Sequence, residues 1–479
     1  MPPTLPITRI GLIMLIAAVF PVLHSGCAGD NKVSAGSDSN SDTSGDSDSD
    51  TGPLCDPASV SLLRAETSAV IGTVGIVEWS TVMTPVVSAS IEFGLDTRYG
   101  YTAPVDLTSP SYRTLLLGMK PSEIYHFRIV VNGCNGADHT IETGAPPTDL
   151  PKKSVSIQDS AASTGGFIVT STGMKSHYAY ILDKDGDYVW WYAFEPAVDS
   201  SRMDGISRAK MSADGTYMWS GTINVGCGCG YLFGIGMDGL GTQATIAVDR
   251  HHDFTVLPDN TVVYIEYTDN GDRIVERSES GTLRIVYNLN DDFSGEGIDW
   301  SHCNAIHYYP SDDSYTVSCL GLNNIIKIDR TSGSLIWRLE GDAGGDFSGI
   351  TWNGQHGHQL LENGNILIFS NGGANRDTTN DSGGAFGGVF NLSGAEVLEL
   401  ALSSSAGTAD EIWRYQGQTY SAALGDVQRL PSGNTLVTYS IAGDLTEVSP
   451  SKEIVRTITV DGLGYADWRP TLYGAPYRY

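Results

Sequence analysis

The sequence predicts an all-β protein built from two kinds of β unit. No stretch carries a convincing long amphipathic helical pattern. Short runs rich in Val, Ile, Tyr and Thr recur between turn residues throughout. From about residue 155 onward, a strand–turn–strand segment repeats: RAKMSADGTYMWSG, HHDFTVLPDNTVVYIEY, HGHQLLENGNILIFSNG and LGDVQRLPSGNTLVTYS. Each turn is built on Pro, Asn, Asp or Gly.

The chain opens with Arg9 and an apolar run from Ile10 to Leu23, IGLIMLIAAVFPVL. That run is short for a bilayer span and fits the apolar region of a secretory signal. The following HSGC resembles a bacterial lipoprotein cleavage site, although His24 stands where Leu is typical. The expectation is a lipoprotein-type signal over residues 1–26 and lipidation of Cys27. The protein would then be exported and anchored by lipid at the bacterial cell envelope, its only expected contact with a membrane.

Residues 27–54 form an acidic Ser/Asp/Gly-rich stretch with Asp30, Asp38, Asp42, Asp46, Asp48 and Asp50. It holds no aromatic residue to offset the entropy of ordering, so it reads as a solvated tether. Over the whole chain, 56 acidic against 28 basic residues give a net charge of −28. Such a field argues against nucleic acid and against charge-driven binding to anionic membranes. An anionic substrate would need a local positive site.

Residues 55–148 show short β-runs with turn signals, predicting a small β-sandwich. The stretch LLGMKPSEIYHFRIVVNG resembles the E–F corner of a fibronectin type III domain. That resemblance implies that Met119 plugs the core and that Tyr125 makes a tyrosine corner. Its role would be a spacer or docking platform. A linker, Ala145–Lys153, follows.

Residues 149–479 hold the repeat. A second hairpin follows most units, as in IKIDRTSGSLIWRLEG and EVSPSKEIVRTITV. Four strands in roughly 45 residues is the signature of a propeller blade. Six units start near Val155, Ser207, His252, His302, His356 and Gly425, predicting a six-bladed β-propeller. The C-terminal YADWRPTLYG would return to complete an early blade.

There are seven cysteines, which export permits to pair. Cys55 and Cys134 bracket the sandwich and are read as a disulfide. Cys227 and Cys229 share one Gly-rich loop, and Cys303 and Cys319 lie on adjacent predicted strands. No second ligand pair has zinc spacing, so no metal site is assigned.

The histidines carry the functional signal. The innermost strand of each blade lines the central channel, so equivalent positions converge there. His252 lies six residues before Pro258, His356 six before Glu362, and Asn304 six before Pro310. His302 sits two residues before Asn304, and the His spacings are 50 and 54 residues, one blade each. His252, His302, Asn304 and His356 are therefore expected at one mouth of the channel. Strand alternation points His251 and His307 the other way. His358 shares the phase of His356 and is a weaker candidate, deeper in the channel. Arg208, Arg376 and Lys175 are possible sources of positive charge.

No Gly-x-Ser-x-Gly elbow and no Walker loop is present. Three imidazoles and a carboxamide can bind a transition metal, or hold a tetrahedral oxyanion while one neutral imidazole attacks it.

HHDFTVLPDNTVV, DWSHCNAI, NNIIKIDRTSGSLIWRLEG and GQHGHQLLENGNILIFSNGG resemble the bacterial arylsulfate sulfotransferase family, from about Ala145 to the C-terminus. The resemblance implies a six-bladed propeller that moves a sulfuryl group from an aryl sulfate to a phenolic acceptor. It implies a sulfo-histidine intermediate and no cofactor or nucleotide donor. Carried over by motif, His356 is the nucleophile, while His302, Asn304 and His252 contact the sulfate oxygens. Two positions depart from the family: Leu320 stands where an Arg is expected, and Gly357 follows His356 in place of Asp. Arg376 is the candidate to replace the missing cation. The competing reading is a catalytically inert, surface-anchored propeller that binds a ligand or acts as a scaffold.

Overall fold

The structure, a computed structural model, describes Asp56 and residues 59–476, apart from 195–204, 225–227, 242–243, 298, 343 and 373–393. The predicted signal, Cys27, the acidic tether, Cys55, Cys227 and Arg376 lie outside the described residues.

The first β unit has two sheets. One joins Val60–Thr67, Gly75–Thr81 and Thr114–Leu116; the other joins Tyr101–Pro104, Ala89–Gly94, Ile124–Val131 and Cys134–Glu142. Alternation along Ile124–Val131 sends Tyr125, Phe127, Ile129 and Val131 inward. They meet Trp79, Ile91, Phe93 and Met119 in one core. Full burial of each such side chain contributes about 1.5–3 kcal/mol. The Tyr125 hydroxyl accepts from Lys120 N at 2.8 Å, which satisfies its polar end inside that core. Lys120 Nζ reaches Asp183, Asp185 and Asp187 of the following unit at 2.9, 2.9 and 2.7 Å.

The second unit contains six antiparallel sheets among the described residues, each led by an inner strand. Five of these leads are Gly205–Met211, Arg250–Val256, Cys303–Tyr309, Gln355–Leu360 and Asp426–Arg429. The sixth comes from the chain end: Asp467–Arg469 pairs with Phe167–Ser171 as the inner strand of the first sheet. The segment around Val155 does not open the first sheet as the repeat suggested. Lys153–Ile157 instead pairs with Ile454–Val460 as a fifth, outer strand of the last sheet. Segments from the two ends of the repeat region thereby complete its first and last sheets.

Inner strands such as Gly205–Met211 and Arg250–Val256 are buried along their whole length. Their convergence is visible at Arg208. Its Nε donates to Asp253 at 2.8 Å, while Nη1 donates to Asp426 at 2.8 Å and reaches Asp467 at 3.5 Å. One guanidinium thus joins the inner strands of the first, second, third and last sheets. The Tyr465 ring lies 4.5 Å from its Cζ, and the Tyr465 hydroxyl donates to Asn304 O at 2.8 Å. Tyr465 thereby links this ion cluster to the strand that carries Asn304.

Candidate functional site

The site forms at the N-terminal ends of three successive inner strands. The His252 ring lies 5.0 Å from that of His302 and 5.9 Å from that of His356, edge-on to both. All three side chains are buried. Asn304 is buried beside them and donates from Nδ2 to Gln355 O at 2.9 Å. Its Oδ1 has no partner among the described residues. The fold therefore brings together the four residues that the repeat spacing singled out.

His251 was expected to point away from His252 and does not. The pairing register shifts between Arg250 and Phe254. This irregularity breaks the alternation, so consecutive residues share one side of the strand. The His251 and His252 rings stack at 5.3 Å, and their Nδ1 atoms are 3.1 Å apart. His251 Nε2 lies 2.8 Å from Asp299 Oδ1, and Asp299 Oδ2 takes a short hydrogen bond from His302 Nδ1. Asp299 and His302 both have left-handed backbones, with φ of 60° and 41°. Such conformations cost about 1–3 kcal/mol each and gather at functional sites.

These contacts fix the protons. Asn371 donates from Nδ2 to Ser421 O and Leu424 O at 2.7 and 2.9 Å, so its Oδ1 must face His356 Nδ1, 2.6 Å away. His356 therefore holds its proton on Nδ1 and carries a bare lone pair on Nε2. Burial pushes this imidazole down to about 3, against the opposing hydrogen bond that it donates to Asn371. Burial, and then the neighbouring imidazoles and Arg250, hold His252 well below the ordinary histidine range. Burial also opposes charge on His251, but Asp272 and Asp299 pull its value up. A charged His251 donates from Nε2 to Asp299 and from Nδ1 to His252, which leaves Nε2–H of His252 as a neutral donor. Burial would raise Asp299, yet the hydrogen bonds from His251 and His302 hold it well below the usual carboxylate range.

A Cβ at Gly357 would collide with the Asp426 carboxylate, so the acid absent from position 357 has a counterpart in the next sheet, paired to Arg208. Leu320 sits on a short turn, its N–H bonded to His302 O at 2.9 Å. Nothing cationic takes its place on that turn, Leu320–Leu322. His358 is held between sheets: its Nε2 lies 2.7 Å from Thr316 Oγ1, and its ring packs 4.8 Å from that of His307. Cys303, which stands between His302 and Asn304, forms a disulfide with Cys319, which precedes Leu320. Cys134 and Cys229 are each disulfide-bonded as well; the expected pairing of Cys134 with Cys55 lies outside the described residues.

His251, His252 and His302 each offer a nitrogen within 4.8 Å of the others, and His251, Asp272 and Asp299 form a second such group. The cluster could hold a divalent ion, or hold an anion against neutral and charged imidazole N–H groups.

The sequence profile of the arylsulfotransferase (ASST) family matches residues 152–462. No curated protein matches the chain. Among solved structures, a protein of unknown function from Bacteroides caccae is similar at 13% identity and a TM-score of 0.41, over 63% of this chain and 98% of that one. Virginiamycin B lyase from Staphylococcus aureus is similar at 14% identity and a TM-score of 0.39, over 64% of this chain and 88% of that one.

Proposed function

Because the chain belongs to the arylsulfotransferase family, we propose that it transfers a sulfuryl group from an aryl sulfate to a phenol through a sulfated His356. The observation that carries this reading is the lock of His356 Nδ1 on Asn371 Oδ1, 2.6 Å away. It leaves Nε2 unprotonated and aimed by a fixed ring.

In the first step the Nε2 lone pair forms an N–S bond as the S–O bond to the aryl group breaks. The electron pair leaves with the phenolate, which takes a proton from the charged form of His302. In the second step the acceptor phenol gives its proton back to His302, its oxygen bonds to sulfur, and the N–S bond breaks. The sulfuryl oxygens gather charge in both transition states, so fixed donors dominate catalysis. His252 Nε2–H and the second Nδ2 hydrogen of Asn304 are the donors suited to that role. Splitting the transfer in two gives ping-pong kinetics. The same reading includes export and a lipid anchor on Cys27, which Cys27→Ala would release from the membrane fraction.

Intact-mass measurement after mixing with an aryl sulfate tests it. A sulfated, acid-labile adduct should form on the native protein and be absent from His356→Ala. Leu320 favours the second reading, an inert binding propeller, because a cation is missing where the family has one. No adduct and no phenol release from a chromogenic aryl sulfate would select that reading.

A further inference from the structure

Leu320 leaves the cluster without an arginine at that position, yet Arg250 is buried at its edge with no ion pair among the described residues, Asp253 attracting it only from a distance. Arg250 opens the same strand as His251 and His252 and is fully buried. Its Nη1 donates to the backbone carbonyl of Thr222. Its Nε and Nη2 have no partner, and no carboxylate pairs with it among the described residues. An unpaired buried guanidinium is costly, which is why such groups are nearly always matched by an anion.

The space for this guanidinium is built. A Cβ at Gly221 would lie 2.8 Å from Arg250 Cζ and 2.9 Å from Nη2, so a side chain there would push the head group from this position. The same corner holds His252: Ser207 Oγ donates both to Gly221 O at 3.1 Å and to His252 O at 2.6 Å. The register shift after Arg250 that turns His251 beside His252 begins at this residue. Two N–H groups without a partner thus lie on the strand that carries His251 and His252, near enough for the guanidinium charge to act on both imidazoles.

We infer that Arg250 is the cation that holds the anionic sulfuryl group over the imidazole cluster, taking the part that Leu320 leaves unfilled. Nε and Nη2 form the two-nitrogen edge that suits two oxygens of one tetrahedral oxyanion. The ligand class is a sulfate monoester or the free inorganic oxyanion. Without it, the protein carries a desolvated charge that the anion would neutralise; the unliganded state is then less stable than it could be, a known trade at binding sites. The inference rests on the sulfuryl-transfer reading for its substrate, but not for the existence of an anion site.

The test is binding of inorganic sulfate, followed by calorimetry and thermal shift, with chloride at matched ionic strength as reference. Native protein should be stabilised by sulfate. Arg250→Met should bind sulfate roughly ten- to a hundredfold more weakly, the size of a lost charge-assisted pair. The same variant should melt no lower than native protein in chloride, because an unpaired buried charge has been removed. Arg250→Lys keeps the charge without the fork and should fall between the two; it also serves if the Met variant does not fold. Equal sulfate affinity in native and variant proteins, or a melting temperature that falls in chloride with sulfate affinity unchanged, would overturn the inference. Sulfate binding that depends on Arg250 in a protein that never turns over an aryl sulfate would uphold it while removing the transferase reading. Turnover with sulfate affinity untouched by Arg250→Met would do the reverse.

Discussion

His356 Nδ1 sits 2.6 Å from Asn371 Oδ1, and Asn371 is itself fixed by two backbone carbonyls. The carboxamide cannot turn without losing both. A residue fifteen positions later in the chain (356 to 371) therefore chooses the tautomer of the nucleophile.

Asn371→Leu should fold and should lower the rate of adduct formation by roughly 10²–10⁴-fold, the range for losing the group that orients a catalytic imidazole. Asn371→Asp puts a carboxylate against Nδ1 and raises the histidine from about 3. The acid limb of the rate–pH profile should then move to higher pH, since only the neutral ring attacks. Pre-steady-state phenol release from pH 4 to 8 measures both. An unmoved acid limb in Asn371→Asp would separate Asn371 from the nucleophile.

Stability should also depend on pH through these rings. His356 is held at about 3 against an ordinary 6.5, and His252 is displaced the same way. A depressed value means that the unfolded chain binds more protons between the two values. The contribution of each is complete above about pH 6.5 and is lost as pH falls. His251, displaced upward, acts in the opposite sense, being complete below its ordinary value and lost as pH rises. Two groups against one leave a net loss on acidification. The melting temperature should fall from pH 7 to 4.5, and His356→Gln should fall less steeply. Parallel curves for the two proteins would contradict the assignment.

Metal removal separates the two uses of the cluster. If His251 and His302 spend their protons on Asp299, dialysis against a chelator should leave aryl sulfate turnover unchanged. Added Zn²⁺ should inhibit by gathering His251, His252 and His302, whose nitrogens already lie within 4.8 Å of each other, and chelator should reverse it. Activity that disappears on chelation and returns with metal would replace the oxyanion reading with a metal-dependent one.

The axis offers a stability test. Arg208→Met leaves Asp253 and Asp426 buried without their shared cation. Breaking a buried pair by removing one partner costs about 3–5 kcal/mol. Urea unfolding should show that loss.

The histidine triad was legible because a blade repeat is a ruler: residues one period apart and in phase with the same turn must converge. His251 was not, since the register shift after Arg250 is invisible to an alternation rule. Asp299 stands three residues before His302 in the same short motif, and an acid beside a recurring histidine is a signal the sequence does hold. Asn371 follows the strand Ile366–Ser370 in a Ser-Asn-Gly-Gly stretch that reads as an ordinary turn. The return of YADWRPTLYG to the first sheet was legible and is seen at Asp467–Arg469; the move of Lys153–Ile157 to the last sheet was not, because closure is a property of the whole array.

The disulfide supplies the last prediction. Cys303 and Cys319 face each other across neighbouring strands, sixteen residues apart in sequence. Cys303 separates His302 from Asn304, and Cys319 precedes Leu320, whose N–H bonds to His302 O. The bond therefore ties down the left-handed turn that presents His302. Closing a loop of this length stabilises by about 3 kcal/mol through the unfolded chain. Cys303→Ala with Cys319→Ala should lose about that much in urea unfolding. If the tie also positions His302, the double variant should retain sulfate binding through Arg250 and lose at least tenfold in kcat, with KM for the aryl sulfate little changed. A loss of stability with kcat intact would make the disulfide a staple of the fold alone.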